Sequence, residues 1–266
     1  MDLKGSINLD LYPIFDLHGA EIKRVCQKAQ QDLDERGLTV LPSFLTRKAV
    51  RELVDWTESN HDQTFFQEVS GNAYLTDGDP SLPDDHALNR IETTSLGVLA
   101  YDQFGDDNLL KKIYLTNELK EFLELILRKE PLYYYQCPLG ALNIAVMRPG
   151  DQLRWHFDQS DFVVSIPLQE AEAGGQYRYV RNARTAEDQN YGGVIRILAG
   201  DGDASAIQAL EAGAGDLVIF EGRYTLHCVT EVMGTRNRLV ALLSFVDKPN
   251  VTSTDYLRKI RYGRTR

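Results

Sequence analysis

Three side chains in the second half of the sequence are of the types that bind metal ions. His156 and Asp158 are separated by one residue, and His227 follows much later in the chain. On an extended segment, side chains two positions apart project from one face, so His156 and Asp158 can converge on one point. Two imidazoles and one carboxylate form the facial triad that binds Fe(II) and leaves coordination positions open. The pattern therefore predicts a metal site that can also bind small molecules.

Zinc is the main alternative metal, because two histidines and a carboxylate also hold hydrolytic zinc. In such sites the histidines typically lie on a helix beside a general-base glutamate, as in an HExxH motif. No HExxH occurs in this sequence. An HxD pair with a distant histidine on strands favours Fe(II), although a histidine in an apolar strand can also be a plain core residue.

An arginine follows the second histidine at the start of an apolar run. Arg238 opens the segment Arg238–Phe245, where it can face the same interior as His227. A buried cation needs a partner, and a dicarboxylate cosubstrate would supply one through hydrogen bonds to the planar guanidinium. Arg236 points to the same face by the two-residue period of a strand and is the alternative for this role. We favour Arg238.

The composition is that of an ordinary globular protein with an acidic balance. Of 266 residues, 43% are hydrophobic and 26% are charged, and the formal net charge is −10. This charge argues against a general nucleic-acid or anionic-membrane surface. The three cysteines show no CxxC spacing, which argues against a disulfide framework or a zinc site. A signal-peptide pattern and a membrane-length apolar run are both missing, so we expect a soluble cytoplasmic protein.

The periodicity of apolar residues predicts a helical first half. Helices are expected at Glu21–Arg36, after the N-cap residue Thr46, at Asp107–Tyr114 and at Asn117–Lys129. Residues 59–92 are polar and rich in turn residues, which predicts a long loop that either covers a site or is disordered. The basic residues 258–266 are expected to form a solvated tail or an edge on an acidic surface.

The second half has the pattern of many short strands separated by Gly, Pro and Asp turns. Strands are expected at Tyr133–Tyr135, Ala141–Met147, Phe162–Leu168, Gln176–Val180, Val194–Leu198, Asp216–Phe220 and Arg238–Val246. A helical half packed on such strands predicts an α+β fold with a sandwich or jelly roll. We expect a single domain over 1–266. Its parts are a helical part with a cover loop (1–130), a jelly-roll core (131–248) and a C-terminal extension (249–266).

This chain resembles the Fe(II)/2-oxoglutarate-dependent oxygenases over Leu139–Asp158, Gly215–His227 and Arg238–Phe245. The fold of these enzymes is a double-stranded β-helix (jelly roll). Within that superfamily the chain is most similar to the branch of free-amino-acid radical halogenases and related hydroxylases. Asn89–Thr94 and Tyr262–Arg264 also match this branch. The resemblance covers residues 85–264.

The resemblance implies a set of cofactors and the residues that bind them. His156, Asp158 and His227 would hold Fe(II). 2-Oxoglutarate would chelate the metal and pair its distal carboxylate with Arg238, helped by a hydrogen bond from Asn143. With O2 as the third reactant, the implied reaction hydroxylates an unactivated C–H bond and releases succinate and CO2. The protein would supply orientation and exclusion of water.

One residue separates the two chemistries of this branch. Its halogenases carry a small residue in place of the triad carboxylate, so that a halide can bind the iron. This chain has Asp158 at that position. A coordinating carboxylate occupies the halide's place and its charge disfavours a neighbouring anion. The resemblance therefore implies a hydroxylase rather than a halogenase.

The resemblance also suggests candidate substrate contacts. In this branch an arginine before the barrel binds the amino-acid carboxylate, and Arg90 is the matching residue. Lysine-acting members bind a basic side chain at positions that correspond to Gln159, Leu242 and Ser244. These residues do not keep an ammonium-binding pattern, so a lysine substrate is not favoured.

Other functions stay open. Asp161 and Glu170 would restore a site for a basic side chain if the register differed. We expect a small-molecule partner, a free amino acid or an amino-acid-derived metabolite, and no nucleic acid or membrane. The alternatives are hydroxylation of a protein side chain or a nucleotide, and a non-catalytic jelly-roll module whose His/Asp set is structural.

Overall fold

The structure of the protein, a computed structural model, describes residues 3–201 and 204–266. The α-helices are α1 (Ala20–Arg36), α2 (Arg47–Ser59), α3 (Leu109–Tyr114), α4 (Asn117–Leu127), α5 (Tyr191–Ala199) and α6 (Asp255–Tyr262). The helices expected in the first half are therefore present. Gly37 ends α1 in the left-handed conformation, and the Thr46 side chain accepts a hydrogen bond from the N–H of Ala49 at the start of α2. Within the described ranges, no helix has the length and apolar character needed to cross a membrane.

The strands alternate with short turns through most of the chain. They are β1 (Leu38–Leu41), β2 (Phe65–Gly71), β3 (Glu92–Leu99), β4 (Tyr133–Tyr134), β5 (Leu142–Met147), β6 (Leu153–His156), β7 (Val163–Gln169), β8 (Ala173–Gly174), β9 (Tyr177–Val180), β10 (Gln208–Ala209), β11 (Leu217–Phe220), β12 (Leu226–Val229), β13 (Val232–Met233), β14 (Arg238–Leu243) and β15 (Phe245–Val246). A large sheet has the order β1-β11-β7-β14-β5-β3-β2, and a small sheet has the order β10-β9-β12-β6. Neighbouring strands in both sheets are antiparallel. Two short pairs, β13 with β8 and β15 with β4, lie outside these sheets.

The inner strands of the large sheet are buried on both faces, as strand β5 shows. Leu142, Ile144 and Val146 belong to the main core, which includes buried residues of the helices. Met147 instead packs with Val229 of β12 in the small sheet. Because neighbours along a strand point to opposite faces, one face of β5 meets the helices and the other faces the small sheet. The result is two facing antiparallel sheets with helices on one side, the α+β arrangement that the sequence predicts.

The segment Val194–Leu198, predicted as a strand, is instead part of helix α5, and that prediction was wrong. The Asn190 side chain accepts a hydrogen bond from the N–H of Gly193, and Gly200 ends the helix in the left-handed conformation. Between these caps the apolar side chains of α5 pack on a cluster that includes Phe157. Helix caps and packing decide the conformation here, because β-branched residues alone favour a strand.

Residues 59–92 are more ordered than the loop expected there. Strand β2 lies within this range and pairs with β3 at the edge of the large sheet. The rest of the range is held by two asparagine side chains. Asn89 donates hydrogen bonds to three backbone carbonyls within the segment, and Asn72 donates to two. The polar side chains of this segment therefore form hydrogen bonds within it, and the segment is ordered.

The first part of the basic stretch 258–266 lies in helix α6, and the stretch is not a solvated tail. The Thr254 side chain accepts a hydrogen bond from the N–H of Leu257 and so caps the helix. Tyr262 at its end is buried, and Arg264 forms an ion pair with Asp102. One aromatic side chain and one ion pair thus attach this segment to the body of the protein.

Candidate metal centre

The two histidines of the predicted triad face each other across neighbouring strands of the small sheet. His156 ends β6 and His227 lies in β12, and the two residues are direct cross-strand partners. Their ring centroids are 4.2 Å apart, and both side chains are buried. Opposite residues of an antiparallel pair point to the same face, so the register of two strands brings the imidazoles together.

The same kind of hydrogen bond orients each imidazole. The Nδ1 of His156 lies 2.9 Å from the carbonyl oxygen of Arg154, and the Nδ1 of His227 lies 2.9 Å from that of Thr225. A carbonyl oxygen can only accept, so each Nδ1 carries the proton and donates it. Each Nε2 is then left as a lone pair directed into the site, which is the state in which histidine binds a metal.

Asp158 completes the site immediately after strand β6. Its carboxylate oxygens lie 3.6 Å from the Nε2 of His156 and 3.4 Å from the Nε2 of His227. The potential ligand atoms of the three residues all lie within 4.8 Å of one another. Oδ2 of Asp158 is buried without a hydrogen-bond partner among the described residues. A buried carboxylate oxygen without a partner and two free imidazole nitrogens fit a cation between them.

A glycine makes room for this carboxylate. The backbone N–H of Asp158 donates a hydrogen bond to the carbonyl of Gly222 at 3.1 Å. A Cβ on Gly222 would lie 2.7 Å from Asp158 Cγ, closer than a real Cβ can approach. Gly222, between Glu221 and His227 in the sequence, therefore contributes to the site because it has no side chain.

The protonation states of the ligands suit metal binding at neutral pH. Burial would raise the pKa of Asp158, but the neighbouring His227 and His156 outweigh it, and the pKa is lowered to about 2. Burial, followed by the effect of His156, lowers the pKa of His227 to about 4. At pH 7, Asp158 is an anion and His227 is a neutral base, so neither has to lose a proton before it binds a cation.

Arg238 lies in the same interior and has no anionic partner among the described residues. Its one hydrogen bond among the described residues is donated by Nη1 to the Sδ of Met147, at 3.7 Å. Burial lowers the pKa of Arg238 to about 10, so it remains a cation at neutral pH. A Cβ on Gly175 would lie 3.0 Å from Cδ of Arg238, so this glycine leaves the arginine its space. Arg236, the alternative, is exposed and donates to the carbonyls of Glu170 and Ala171.

Tyr177 is a functional candidate that sequence reasoning missed. Its ring stacks on His227 with centroids 5.4 Å apart, and its hydroxyl is buried without a hydrogen-bond partner in the described structure. Burial, followed by the charge of Asp158, raises the pKa of Tyr177 well above its usual value, while the charge of Arg238 acts in the opposite direction. The available signal was the two-residue period of strand β9, which places Tyr177 on the face of Tyr179, the cross-strand partner of His227.

Asn143, the other residue predicted to bind 2-oxoglutarate, does not lie beside Arg238. The amide of Asn143 is already engaged, since it donates to the carbonyl of Leu139 and accepts from the hydroxyl of Tyr262. Asn143 pairs with Leu242, whereas Arg238 pairs with Met147 at the other end of β5. The structure therefore does not bring Asn143 and Arg238 to one carboxylate.

The three residues predicted to contact the substrate differ in whether their side chains already bind other protein groups. The Arg90 side chain is half exposed, with its Nε 4.0 Å from Glu92. Gln159 is exposed just after the triad carboxylate. The Ser244 hydroxyl donates to the carbonyl of Gly140.

The acidic alternatives do not offer a free carboxylate beside the metal ligands. Asp161 is paired with Arg223 and with Lys129. Glu170 is exposed and lies beyond the end of β7. A site for a basic side chain built on these two residues is not supported by their surroundings.

Comparison with known families gives one match. The model of a family described as halogenase D matches residues 99–257, more than half of the chain. This range includes the three predicted metal ligands and Arg238. No curated protein is significantly similar in sequence to this chain.

Solved structures with the same fold are numerous but distant in sequence. The non-heme α-ketoglutarate-dependent epimerase SnoN from nogalamycin biosynthesis has a TM-score of 0.59 at 12% identity, covering 85% of this chain and 82% of its own. The carbocyclase SnoK from the same biosynthesis has a TM-score of 0.58 at 14% identity, covering 84% and 85%. AviO1 from Streptomyces viridochromogenes Tue57 has a TM-score of 0.56 at 14% identity, covering 86% and 97%. The expected jelly-roll fold of the Fe(II)/2-oxoglutarate oxygenases is thereby confirmed.

Proposed function

This chain belongs to the halogenase D family, and we propose that it is an Fe(II)- and 2-oxoglutarate-dependent hydroxylase of a small free amino acid or related metabolite. The observation that carries the proposal is the convergence of His156, Asp158 and His227 on one point with their ligand atoms unpaired. The fold is that of enzymes described as α-ketoglutarate-dependent, one of them in complex with Fe3+ and α-ketoglutarate. Two histidines and a carboxylate on strands, without an HExxH helix, favour iron over zinc.

The residues of the site fit the implied cofactor. His156, Asp158 and His227 would bind Fe(II) through two Nε2 atoms and the carboxylate. Iron with 2-oxoglutarate and O2 supplies the oxidising chemistry, with succinate and CO2 as coproducts. The chain's own part is to fix the ligands: the carbonyls of Arg154 and Thr225 hold both imidazoles in the metal-binding tautomer.

Arg238 and Tyr177 are suited to bind the distal carboxylate of 2-oxoglutarate. Tyr177 stacks on His227, Arg238 is close enough to Tyr177 for its charge to act on the hydroxyl, and each carries polar hydrogens that no described protein oxygen accepts. A buried cation and a buried hydroxyl without partners are costly, and a carboxylate would satisfy both. We assign the electrostatic part of this binding to Arg238 and a hydrogen bond to Tyr177.

Hydroxylation is favoured over halogenation by the carboxylate itself. Asp158 is ionised, points at both histidines and occupies the place that a halide would need. Gly222 leaves space for this carboxylate, so the surrounding backbone is also adapted to it. Halogenation is the second candidate, because the family carries that name.

A free amino acid is the proposed substrate class. Arg90 is half exposed and, among the described residues, its only ion pair is the long contact to Glu92, so its guanidinium is free to bind the carboxylate of an amino acid. The ordered segment after β2, held by Asn72 and Asn89, covers this side and leaves less room for a protein substrate. A nucleotide or protein substrate would instead require an open basic or extended groove.

The experiment that tests the proposal uses purified protein supplied with Fe(II), 2-oxoglutarate and O2. Pools of free amino acids are added in turn, succinate is measured, and stimulating pools are separated into single compounds. We expect one amino acid, or a few related ones, to stimulate succinate formation and to gain one oxygen atom. Succinate formation that no amino acid stimulates would remove the substrate class. A product that carries a halogen would replace hydroxylation with halogenation.

A further inference from the structure

One buried aromatic residue lies between two of the metal ligands in the sequence. Phe157 separates His156 from Asp158, and its side chain is almost completely buried. Asp158 lies beyond the end of β6, so strand pairing does not fix its backbone. The N–H of Phe157 donates a hydrogen bond to the carbonyl of Ala73 at 2.9 Å, and that of Asp158 donates to Gly222. The position of the carboxylate therefore depends on how firmly this turn is held.

Arg184 contacts this turn from the loop between β9 and α5. The Cζ atom of its guanidinium lies 4.1 Å from the centroid of the Phe157 ring. The same atom lies 5.7 Å from the centroid of the Tyr74 ring, which itself packs on Phe157. A guanidinium at these distances is attracted to the electrons of an aromatic face. The side chain between the two metal ligands is therefore packed against a cation.

The same guanidinium binds the chain segment that accepts the N–H of Asp158. The Nε of Arg184 donates a hydrogen bond to the carbonyl of Arg223 at 2.8 Å. Arg223 directly follows Gly222, whose carbonyl accepts the N–H of Asp158. The Nη1 of Arg184 donates to Oε1 of Gln189 at 3.2 Å, which fixes the plane of the guanidinium. One side chain thus connects the two chain segments that meet at Asp158.

We propose that Arg184 is a positioning residue that holds the carboxylate of Asp158 in place for metal binding. This inference rests on the proposed function of the site. Arg184 acts through its contact with the Phe157 ring and its hydrogen bond to the Arg223 carbonyl. Both interactions keep the turn after β6 against the segment that contains Gly222. Loss of a residue that orients a metal ligand typically lowers metal affinity by roughly 10–100-fold.

An arginine suits this role better than another cation. Its planar guanidinium stacks on an aromatic face and donates hydrogen bonds from its edge at the same time. The ammonium group of a lysine is a compact charge that cannot occupy both positions. Methionine has a similar length but neither a charge nor a hydrogen-bond donor. The variant Arg184→Lys should therefore keep part of the function, and Arg184→Met should lose it.

The first test measures equilibrium binding of Fe(II) without oxygen, in competition with a coloured chelator. The substitutions at Arg184 are made in the wild type and in the Asp158→Gly variant. We expect Arg184→Met to weaken Fe(II) binding roughly tenfold or more in the wild type, and Arg184→Lys to weaken it less. In the Asp158→Gly background, Arg184→Met should weaken binding by less than about twofold, because the positioned carboxylate is gone.

The matched control is Arg181→Met. Arg181 lies three residues before Arg184 and also donates to backbone carbonyls, those of Glu35 and Asp34. These carbonyls belong to helix α1, away from the turn that carries Asp158. Arg181→Met should therefore leave the Fe(II) affinity unchanged, although it removes a comparable set of hydrogen bonds.

Hydrogen exchange of the metal-free protein gives a second readout that does not depend on iron. The groups followed are the amides of Phe157 and Asp158, whose hydrogen bonds to backbone carbonyls hold the turn. We expect Arg184→Met to speed the exchange of both amides roughly tenfold or more, and to leave the amides of strand β12 unchanged. Arg181→Met should change neither.

Three results would overturn the inference. The first is an equal loss of Fe(II) affinity from Arg184→Met in both backgrounds, which would indicate a general effect on the fold. The second is an equal loss in Arg184→Met and Arg181→Met, and the third is unchanged exchange of the Phe157 and Asp158 amides. Failure of the proposed function is distinct from these, because the wild type would then bind no Fe(II). The exchange measurement would still decide whether Arg184 holds the turn.

Discussion

The carboxylate of Asp158 occupies space that only a glycine at position 222 leaves free. A Cβ on Gly222 would lie 2.7 Å from Asp158 Cγ, and the carbonyl of Gly222 accepts the N–H of Asp158. The third metal ligand and its backbone neighbour therefore form one unit. This relationship distinguishes a site that is built around a carboxylate from one that leaves a position open for an anion.

The substitution Gly222→Ala should displace Asp158. We expect a loss of about 1–3 kcal/mol in the free energy of unfolding of the metal-free protein, from overpacking, and weaker iron binding. Urea unfolding and equilibrium iron binding measure the two effects. The matched background is Asp158→Gly, in which Gly222→Ala should cost little because the overlapping carboxylate is gone. An equal cost in both backgrounds would show that Asp158 is not what Gly222 accommodates.

Chloride should not be needed by the wild-type enzyme. The proposed function gives Asp158 the coordination position that a halide would require, so succinate formation is expected to be the same with and without chloride. The Asp158→Gly variant should lose the hydroxylated product and bind a halide when iron and 2-oxoglutarate are present. Turnover of the wild type that depends on chloride would contradict the assignment as a hydroxylase.

Replacement of Arg238 by Met should separate cosubstrate binding from stability. We expect the affinity for 2-oxoglutarate to fall by roughly thirtyfold or more, since a charge pair with a carboxylate is lost. The unfolding free energy of the protein without ligand should not fall, because the arginine has no anionic partner in the described structure. Arg236→Gln is the control and should bind 2-oxoglutarate normally. Equal losses in both variants would remove Arg238 from this role.

Acid should destabilise the metal-free protein before Asp158 titrates. The pKa of His227 is about 4 in the folded protein and about 6.5 when unfolded, so the unfolded chain binds one more proton between these values. Stability should therefore fall by roughly 3 kcal/mol from pH 6.5 to pH 4. The pKa of Asp158 is also lowered on folding, from 3.8 to about 2, so its stabilising contribution is lost only at lower pH, as the pH falls towards about 2.

Urea unfolding at several pH values, with a chelator present, measures this dependence. The variant His227→Gln lacks the titrating group and should lose the corresponding part of the slope. If the variant and the wild type showed the same pH dependence, the buried neutral state of His227 would be ruled out.

The sequence was sufficient for the triad because its spacing carries geometric information. The HxD pair lies where β6 ends, so the two-residue period of a strand was enough to place His156 and Asp158 on one side. The fold class and most helices and strands were also predictable, since apolar periodicity marks buried faces. The cross-strand pairing of His156 with His227 depends on the register of two distant strands, which residue spacing alone does not give.

The features that the sequence did not predict depend on contacts between residues far apart in the chain. Helix α5 has a strand-like composition, and its caps and its contact with Phe157 decide its conformation. The hydroxyl of Tyr177 gains significance only from a missing hydrogen-bond partner, which a sequence cannot display. The basic C-terminus suggested a solvated tail or an edge on an acidic surface, because the anchoring residues, Asn143 and Asp102, are far away in the chain.

The most direct test of the central claim is an anaerobic titration of the Fe(II)-loaded protein with 2-oxoglutarate, followed by visible absorption. Chelation of iron by the keto acid gives a weak charge-transfer band that neither component gives alone. We predict a saturable band in the wild type, the same band at higher 2-oxoglutarate concentrations in Arg238→Met, and none in the double variant His156→Ala/His227→Ala. A folded wild type that binds iron and shows no band at any 2-oxoglutarate concentration would contradict the account.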